Sequence, residues 1–373
     1  MARSLTLGTT NHSDIVKFTV EKGLSDDAVT VSLLLSFAKE HAGDELYLFG
    51  CTDEYAEMII RNRDVLSGYY FCPCVCLETA EKLETKEFFY SMCEQYKIPY
   101  PKTYIVRPND SISDLSESTI GFNYPIIIKP SHSSSYWKHP FDGIKKVYSA
   151  KDKREASAIL SKIFGAGYTE SVLLQDMIPG SDSQMYVLTC YSGIDGKVKR
   201  ACLGHVLLEE HTPKGLGNHT AVITETRPEI TDVLINFLNE IGYIGFSNFD
   251  IKLDSRDGEF KVFEINLRQG RSNYYVTTAG QNIAETVIYD RHGKLSITPE
   301  ICEDEVFWYT VPKPIIYKYV GKETAQKLKS LVKEGKSRST LWYGRDLKNP
   351  KRLFYVAVHN VRYYSKYRKN GDL

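Results

Sequence analysis

Two carboxylates and one amide occupy alternating positions in a predicted β-hairpin. Asp250 lies on the first strand, and Glu264 and Asn266 lie on the second, in segments that alternate polar and apolar residues as half-buried strands do. Neighbouring carboxylates repel each other unless a cation joins them, and Mg²⁺ prefers oxygen ligands from protein and phosphate. The sequence therefore predicts a magnesium site at these three residues. Arg268, on the same face, is predicted to be catalytic because it can offset charge that develops during phosphoryl or acyl transfer.

The turn between the two strands decides whether the carboxylates meet. A three-residue turn over 256–258, with Gly258 in the left-handed conformation, would pair Asp250 with Glu264. A two-residue turn would place Asp250 opposite Ile265 and separate the carboxylates onto opposite faces. The three-residue turn is the prediction, and a surface hairpin with scattered charges is the alternative without a function.

A magnesium site of this kind implies a nucleoside triphosphate, and two lysines are placed to contact its phosphates. Lys129 ends the apolar segment 125–130 (PIIIKP), where a buried stem and an exposed ammonium suit a phosphate contact and a catalytic role. Lys86 opens a predicted helix over 85–96, and a helix N-terminus together with an ammonium can hold an anion. The sequence contains no G-x-x-x-x-G-K-[ST] motif, which excludes a P-loop enzyme.

The charge of the chain is balanced overall but uneven along its length. Lys and Arg number 47 and Asp and Glu number 47, so the whole molecule has no electrostatic preference for nucleic acid or membrane. From residue 311 onward, however, sixteen Lys/Arg stand against four Asp/Glu. This basic region favours an anionic partner, such as a nucleotide-linked substrate or an acidic membrane surface, although a solvated basic face has the same composition.

Other features of the chain predict a cytoplasmic protein. The first residues lack the apolar core of a secretory signal, and no apolar run is long enough to cross a membrane. The eight cysteines are predicted to be reduced thiols. We therefore expect no transmembrane segment and no nucleic-acid partner, with peripheral membrane contact through the basic region left open.

The order of the predicted elements indicates four regions. Residues 1–79 alternate helices and strands like a small α/β domain. This domain opens without the strand that normally begins it. Either the strand order differs, or the true start of the protein lies upstream. Residues 80–182 and 183–298 are predicted to be two α+β lobes, of which the larger contains the hairpin. Residues 299–373 are a tyrosine-rich basic region with one predicted helix. The predicted helices are 29–41, 53–62, 85–96, 153–164 and 324–333, and the predicted strands include 45–50, 69–76, 125–130, 171–177, 184–191, 198–207, 246–253 and 261–266.

The whole set of motifs resembles the ATP-grasp superfamily over residues 45–290. The resemblance implies a pre-ATP-grasp α/β domain followed by two α+β lobes that clamp ATP. By this resemblance, the two lysines would contact phosphates, the segment 175–180 (QDMIPG) would line the adenine pocket through backbone groups, and Asp182 would lie near the ribose. The implied ATP-binding residues are Lys86, Lys129, Gln175, Asp176, Ile178 and Asp182, and Asp250, Glu264 and Asn266 would hold one or two Mg²⁺ ions.

Two longer segments, 207–225 and 242–282, are similar to the D-aspartate ligases of Gram-positive cell-wall synthesis. The RQGRS sequence at 268–272 is more specific than the general superfamily pattern. This similarity implies that ATP activates the β-carboxylate of D-aspartate as an acyl phosphate. The side-chain amine of lysine in a UDP-linked muramyl pentapeptide would then attack it, in peptidoglycan synthesis.

The predicted substrate-binding residues lie in two segments. Arg271 could grip a substrate carboxylate in a bidentate fork, with Ser272 beside it, although a surface arginine at a strand end is the alternative. The polar loop 211–219 suits a lid over the substrate, with His211, Lys214 and Gly215 as its predicted contacts.

Two other functions stay open on the sequence alone. One is another ATP-grasp amino-acid or peptide ligase that shares the ATP site and uses a different acceptor. The other is a non-catalytic, nucleotide-binding regulatory protein on the same fold. The complete set of Asp250, Glu264, Asn266 and Arg268 argues against the regulatory protein, because binding alone does not require an arginine for the transition state.

Overall fold

The computed structural model describes residues 8–212, 215 and 217–370, which divide into two compact units. The first unit comprises the described residues up to Cys76, Asp182–Asn248, and those from Asn266 onward; the second comprises Leu77–Ser181 and Phe249–Ile265. This division is coarser than the four predicted regions, whose boundaries stay predictions.

The described chain forms the following helices and strands. The helices are α1 (Gly8–Asn11), α2 (Asp27–Glu40), α3 (Asp53–Arg61), α4 (Arg63–Leu66), α5 (Leu77–Glu84), α6 (Lys86–Tyr96), α7 (Glu117–Ile120), α8 (Ser133–Tyr136), α9 (Lys153–Gly165), α10 (Pro228–Glu240), α11 (Tyr274–Thr278), α12 (Ile283–Arg291), α13 (Lys313–Tyr319), α14 (Lys322–Lys333) and α15 (Pro350–Asn370), with 3₁₀ turns at Asp182–Gln184 and Gly344–Lys348. The strands are β1 (Thr103–Val106), β2 (Ile126–Pro130), β3 (Tyr148–Ala150), β4 (Val172–Asp176), β5 (Met185–Ser192), β6 (Val198–Glu209), β7 (His219–Thr224), β8 (Gly245–Leu253), β9 (Phe260–Asn266), β10 (Glu300–Ile301), β11 (Phe307–Tyr309) and β12 (Ser337–Ser339).

The second unit is built on a four-stranded antiparallel sheet with the order β1-β4-β2-β3. Helix α9 covers this sheet, and its buried residues Ala156, Leu160 and Ile163 recur at the spacing of one helix face. Asp152 caps the helix by accepting the backbone N–H groups of Arg154 and Glu155. The capped, amphipathic helix and the apolar strands close one core, which holds Lys129 at the end of β2.

The first unit contains a larger sheet in which β5, β6 and β7 pair antiparallel in sequence order. Residues 245–248 at the start of β8 also belong to the first unit, whereas the rest of β8 and most of β9 belong to the second. Most residues of β6 are buried on both faces, which suits its apolar stretches 201–204 and 206–208. The predicted strands over 184–191, 198–207, 246–253 and 261–266 are confirmed, with ends that differ by one or two residues.

The turn of the β8–β9 hairpin differs from the sequence prediction. The backbone N–H of Asp254 donates to the carbonyl of Glu259 (2.9 Å), and the N–H of Gly258 donates to the carbonyl of Asp254 (2.8 Å). The turn therefore contains four residues, 255–258, and the three-residue prediction was wrong. Gly258 does adopt the predicted left-handed conformation, with φ 77°.

The burial pattern of β9 departs from strict alternation. Counting back from the pair that closes the turn places Val262 opposite Ile251, and both side chains are buried. The next buried residue of β9 is Ile265, although strict alternation would bury Glu264. Glu264 is instead half-buried, and its charge, like that of Asp250, raises the pKa of Lys129.

The N-terminal α/β layer is only partly as predicted. Helices α2 and α3 confirm the predicted helices over 29–41 and 53–62. The predicted strands over 45–50 and 69–76 were wrong, because the two segments meet only at an isolated parallel bridge between Tyr47 and Phe71. Pro73 lacks a backbone N–H and cannot donate to a strand ladder, which limits the pairing.

The basic C-terminal region contains more structure than the sequence suggested. Helix α14 confirms the predicted helix over 324–333, but the 21-residue helix α15 was not predicted. The buried residues of α15 are Arg352, Val356, Tyr363 and Tyr367. Because only one of these four is aliphatic, the sequence lacks the regularly spaced apolar residues that predict a helix. Within the described residues, no helix is long and apolar enough to cross a membrane.

Gly258 offers a direct test of the hairpin turn. Gly258→Ala should lower the free energy of unfolding by about 1 kcal/mol, because an L side chain is disfavoured in the left-handed conformation. No atom lies within 4 Å of the position of a Cβ at Gly258, so the loss comes from the backbone alone. Gly258→Asn is the control and should lose less, since asparagine tolerates this conformation. Urea denaturation measures both, and equal stability of the alanine variant and the parent would contradict the turn.

Candidate active site

The second unit brings Lys86 and Glu264 into an ion pair. Lys86 is the buried first residue of α6, and its Nζ lies 3.3 Å from Oε2 of Glu264 on β9. Burial disfavours the charged form of Glu264, but Lys86, Lys146 and Lys129 outweigh it and hold the pKa of this carboxyl well below its usual range. Glu264 is therefore ionised, and its side chain keeps 28% exposure, which leaves it open to a further cation.

Lys129 is the second buried lysine of this group. Its Nζ donates to Oη of Tyr90 (3.1 Å) and lies 5.6 and 5.7 Å from the ring centroids of Tyr90 and Phe263. Burial lowers the pKa of Lys129 to about 8. An ammonium with so little solvation is stabilised by an added anion, which is what a phosphate group would provide.

Asp250 belongs to the same electrostatic group. Burial has the largest effect on the pKa of Lys129 and lowers it. The charges of Glu264 and Asp250 raise this pKa, and the charge of Lys146 lowers it further. The second unit thus gathers three lysines and two carboxylates, and the lysines are in excess. Such a surplus of positive charge suits the phosphates of a nucleotide.

Tyr90 is a site residue that sequence reasoning missed. Its hydroxyl donates to the carbonyl of Phe263 (2.8 Å) and accepts hydrogen bonds from Lys129 and from Nε2 of Gln175 (3.0 Å). Burial raises the pKa of Tyr90, so the hydroxyl keeps its proton. Tyr90 lies four residues after Lys86, on the same face of α6, and this helical spacing was the available signal.

The predicted adenine segment uses its side chains within the second unit. Gln175 is buried and donates to Tyr90 and to Oγ1 of Thr103 (2.9 Å). The carboxylate of Asp176 accepts two hydrogen bonds from Arg256, at 2.6 and 3.1 Å, in a bidentate pair. The carbonyl of Ile178 accepts from Nζ of Lys252 (3.0 Å). These contacts fix the segment, and its role in binding a base through backbone groups stays a prediction.

The carboxylates of Asp250 and Glu264 are suitable for Mg²⁺. No group of three or more His, Cys, Asp or Glu residues that could hold a metal occurs in the described parts of the chain. Mg²⁺ in nucleotide sites usually takes one or two carboxylates and completes its shell with phosphate and water. The two carboxylates of the second unit fit that requirement, and Asn266 follows Glu264 by two residues in the sequence.

In the first unit, Arg268 is held by an aspartate from the N-terminal layer. Nε of Arg268 lies 2.5 Å from Oδ1 of Asp53, which is in the first turn of α3. Nη2 of Arg268 lies 3.4 Å from Oδ1 of Asn266, and the side-chain amide of Asn248 donates to the carbonyl of Arg268. Two predicted site residues therefore touch each other, and Asp53 is a partner that the sequence gave no reason to select.

The predicted substrate-binding residue Arg271 lies beside a buried carboxylate. Nη2 of Arg271 is 3.9 Å from Oε2 of Glu210, and the arginine side chain is 62% exposed. Glu210 is already bound by α15, from which Lys366 Nζ (2.7 Å) and Tyr363 Oη (3.0 Å) donate to it. The contact of Arg271 is long and exposed, so its guanidinium remains accessible to a ligand.

His211 and Asp182, which were predicted to bind different ligands, contact each other. Nε2 of His211 lies 2.9 Å from Oδ2 of Asp182, and the same oxygen accepts the backbone N–H of Glu209 (2.9 Å). The Nδ1 atom of His211 is buried and has no hydrogen-bond partner among the described residues. The pair joins the start of one 3₁₀ turn to the end of β6.

Ser272 and Gly215 pack around the same end of β6 and β7. Ser272 is buried, with Oγ 3.5 Å from Nδ1 of His219. Burial lowers the pKa of His219 to about 4, so this imidazole is neutral at neutral pH. Gly215 lies where an added Cβ would meet Cδ of Glu210, which requires a glycine or a moved side chain. Lys214 lies outside the described residues, and the lid role of this loop stays a prediction.

Comparison with known proteins identifies the family. No family model matches the chain. Across 97% of its length, however, it is 37% identical to a D-aspartate ligase of Enterococcus faecium (strain Aus0004), 88% of which is covered. The chain belongs to the D-aspartate ligase family. A weaker similarity, 22% identity over 54% of the chain, links it to 19% of the arginine-specific carbamoyl phosphate synthase large chain of Bacillus subtilis (strain 168).

Solved structures agree on the fold of this D-aspartate ligase family member. An L-amino acid ligase from Bacillus licheniformis matches 74% of the chain with a TM-score of 0.51 and 16% identity, and 63% of that chain is covered. The biotin carboxylase domain of 2-oxoglutarate carboxylase from Hydrogenobacter thermophilus, solved with MgADP, matches 76% with a TM-score of 0.56 and 14% identity, and 60% of it is covered. The chain thus spans less than two thirds of either solved chain. The predicted ATP-grasp fold, with mixed α and β structure, is confirmed, and the protein is a carbon–nitrogen ligase.

The pKa of Lys129 makes ATP binding depend on pH. Only the ammonium form of Lys129 attracts phosphate, and this form predominates below about pH 8. As the pH rises above that value the ammonium is lost, so ATP affinity should fall by up to about tenfold for each pH unit. Calorimetric titration of ATP between about pH 6.5 and 9.5 measures this. Lys129→Arg keeps its charge and should lack the decline, whereas Lys102→Arg, at an exposed position of the same unit, should retain it. A decline that persists in Lys129→Arg would contradict the assignment.

Proposed function

We propose that this protein joins the β-carboxyl group of D-aspartate to the side-chain amine of lysine in UDP-N-acetylmuramoyl pentapeptide, during peptidoglycan synthesis. The observation that carries the proposal is the group formed by the buried Lys86 and Lys129 and the half-buried Glu264, which has the charge needed for a magnesium nucleotide. The similarity to D-aspartate ligase over nearly the whole chain supports the choice of amino acid. The cell-wall acceptor follows from the sequence resemblance.

The chemistry requires an activated carboxyl group. A carboxylate resists attack by an amine until one of its oxygens becomes a leaving group. One oxygen of the β-carboxylate attacks the γ-phosphorus of ATP, the bond to the bridging oxygen breaks, and ADP leaves. The lysine amine then attacks the acyl carbon, phosphate departs with the bonding pair, and the amine loses a proton. An acyl phosphate is the intermediate, and ATP is converted to ADP and phosphate.

The two buried lysines supply the binding charge for ATP. In the proposal, Lys86 exchanges its contact with Glu264 for a phosphate oxygen, and Lys129 contacts a second phosphate group. Asp250, Glu264 and Asn266 would then hold Mg²⁺, which neutralises phosphate charge when it is bound. Gln175, Asp176, Ile178 and Asp182 are the proposed contacts to the nucleoside.

Arg268 and Arg271 have different proposed roles. Arg268, oriented by Asp53, offsets negative charge on the transferring phosphoryl group. Arg271 binds the α-carboxylate of the amino acid, because its guanidinium is accessible and planar. Ser272 and the loop residues His211, Lys214 and Gly215 complete the proposed substrate site. A dicarboxylic amino acid suits this arrangement, since one carboxylate is bound while the other reacts.

The remaining partners follow from the same reaction. The nucleotide-linked acceptor carries a diphosphate, and the basic residues between 311 and 349, which precede helix α15, offer complementary charge. Since ATP and a UDP-linked precursor are substrates of the proposed reaction, we place the protein in the cytoplasm. Both assignments depend on the acceptor.

An assay of ADP release tests the proposal and its alternatives together. The protein is supplied with MgATP and either D-aspartate, L-aspartate or another amino acid, with and without the muramyl pentapeptide. We expect ADP only with D-aspartate and acceptor present, together with a product heavier than the acceptor by one aspartyl residue. Turnover with a different amino acid or acceptor would indicate another ATP-grasp ligase. ATP binding without turnover in any combination would indicate a regulatory protein, and either result would reject the proposed reaction.

A further inference from the structure

Helix α15 presents an apolar stripe to the outside of the first unit. Phe354, Val358 and Val361 recur at i, i+4 and i+7, which places them on one face of the helix. Phe354 is 63% exposed and Val361 is 68% exposed. The buried residues Val356, Tyr363 and Tyr367 lie on the opposite face. Among the described residues the two outer side chains of the stripe are thus largely exposed, although a helix that only closed a core would carry polar residues there.

The charges of α15 are all of one sign. The helix contains six Lys/Arg residues and no Asp or Glu. Two of the six form ion pairs within the first unit. Nε of Arg352 lies 3.0 Å from Oδ2 of buried Asp346, and Nζ of Lys366 lies 2.7 Å from Oε1 of Glu210. The other four lie at exposed positions, and they are Lys351, Arg362, Arg368 and Lys369.

The exposed charges flank the apolar stripe. At 100° per residue, Lys351, Arg362 and Lys369 fall along one side of the line through Phe354, Val358 and Val361, and Arg368 falls on the other side. An apolar strip bordered by cations is the pattern of a helix that lies flat in a lipid interface, with its apolar side chains among acyl chains and its ammonium and guanidinium groups among phosphates.

We propose that this face of α15 docks the protein on an anionic lipid surface. Charge complementarity selects the partner, because four cations on one convex helix face match a layer of anionic headgroups. A second copy of the chain is disfavoured, since a symmetric dimer through this face would place cations against cations. The docking surface goes beyond the ligase reaction and does not depend on it, because it uses residues with no proposed role in catalysis.

Vesicle sedimentation tests the docking surface with the full chain. The probes are vesicles of phosphatidylcholine alone and vesicles in which about one third is phosphatidylglycerol. At about 0.1 M salt we expect the protein to sediment with the anionic vesicles and not with the neutral ones. At about 1 M salt, where the charges are screened, most of the binding to anionic vesicles should be lost. Absence of sedimentation with anionic vesicles at low salt would overturn the proposal.

Matched variants separate the helix face from general basicity. Arg362→Gln/Lys369→Gln should weaken binding to anionic vesicles about 25-fold, at about fivefold for each charge removed. Lys39→Gln/Lys294→Gln removes the same charge from exposed positions elsewhere in the first unit and should leave binding within about twofold. Equal losses in both pairs would overturn the proposal.

The apolar stripe has its own pair of variants. Phe354→Ser should weaken binding roughly tenfold, whereas Ile297→Ser, at a side chain that is 88% exposed, should not change it. All variants should keep the parent circular dichroism spectrum and rate of ADP release in vesicle-free solution. Light scattering that showed a dimer abolished by Phe354→Ser would assign the stripe to a second copy. If Phe354→Ser weakened binding to an acidic protein and left vesicle binding unchanged, the stripe would have no role in lipid docking.

Discussion

The ion pair between Lys86 and Glu264 is the interaction on which the site depends. A buried carboxylate is costly unless a cation compensates it, and a buried ammonium is equally costly without an anion. Each residue therefore constrains the other: α6 must begin where its first side chain reaches β9, and β9 must turn Glu264 toward that helix. The irregular spacing of buried residues along β9 serves this requirement, because strict alternation after a four-residue turn would have turned Glu264 toward the opposite face. The pair also keeps Glu264 ionised and ready to exchange one cation for another.

The remaining polar contacts of the second unit hold this pair in place. Tyr90 ties α6 to β9 through the carbonyl of Phe263 and to β2 through Lys129, while Gln175 connects the same hydroxyl to β4. A displacement of any one element would leave a buried donor or acceptor unsatisfied, which is more costly than the hydrogen bond is favourable. The network thus limits movement of the two lysines before a nucleotide arrives. Such preorganised charge is what phosphoryl transfer requires of a protein.

Much of the site could be inferred from the sequence, because strand alternation and a few motifs are local signals. Asp250 and Glu264 stood out through their spacing and the two lysines through their positions at the ends of predicted elements, and the fold followed from the resemblance of these motifs to the ATP-grasp superfamily. The turn length was not accessible, since a left-handed Gly258 at the end of the turn suits a turn of either three or four residues. Tyr90 and Asp53 were missed for a different reason: each acts through a partner that is distant in sequence, Phe263 and Arg268 respectively. Helix α15 was hidden because its buried face contains an arginine and two tyrosines whose partners lie elsewhere in the chain.

Metal binding to a Lys86 variant tests the central claim that Glu264 exchanges the ammonium for a metal ion. Free Mn²⁺, a substitute for Mg²⁺, can be followed by electron paramagnetic resonance in the absence of nucleotide. Lys86→Met should bind Mn²⁺ at least about tenfold more tightly than the parent, since the ammonium that pairs with Glu264 is then absent. The gain should disappear in Lys86→Met/Glu264→Gln, and Lys82→Met, whose lysine pairs with Glu78 on α5, should behave as the parent. Unchanged Mn²⁺ affinity in Lys86→Met, or a gain that survives the loss of the Glu264 carboxylate, would contradict the account.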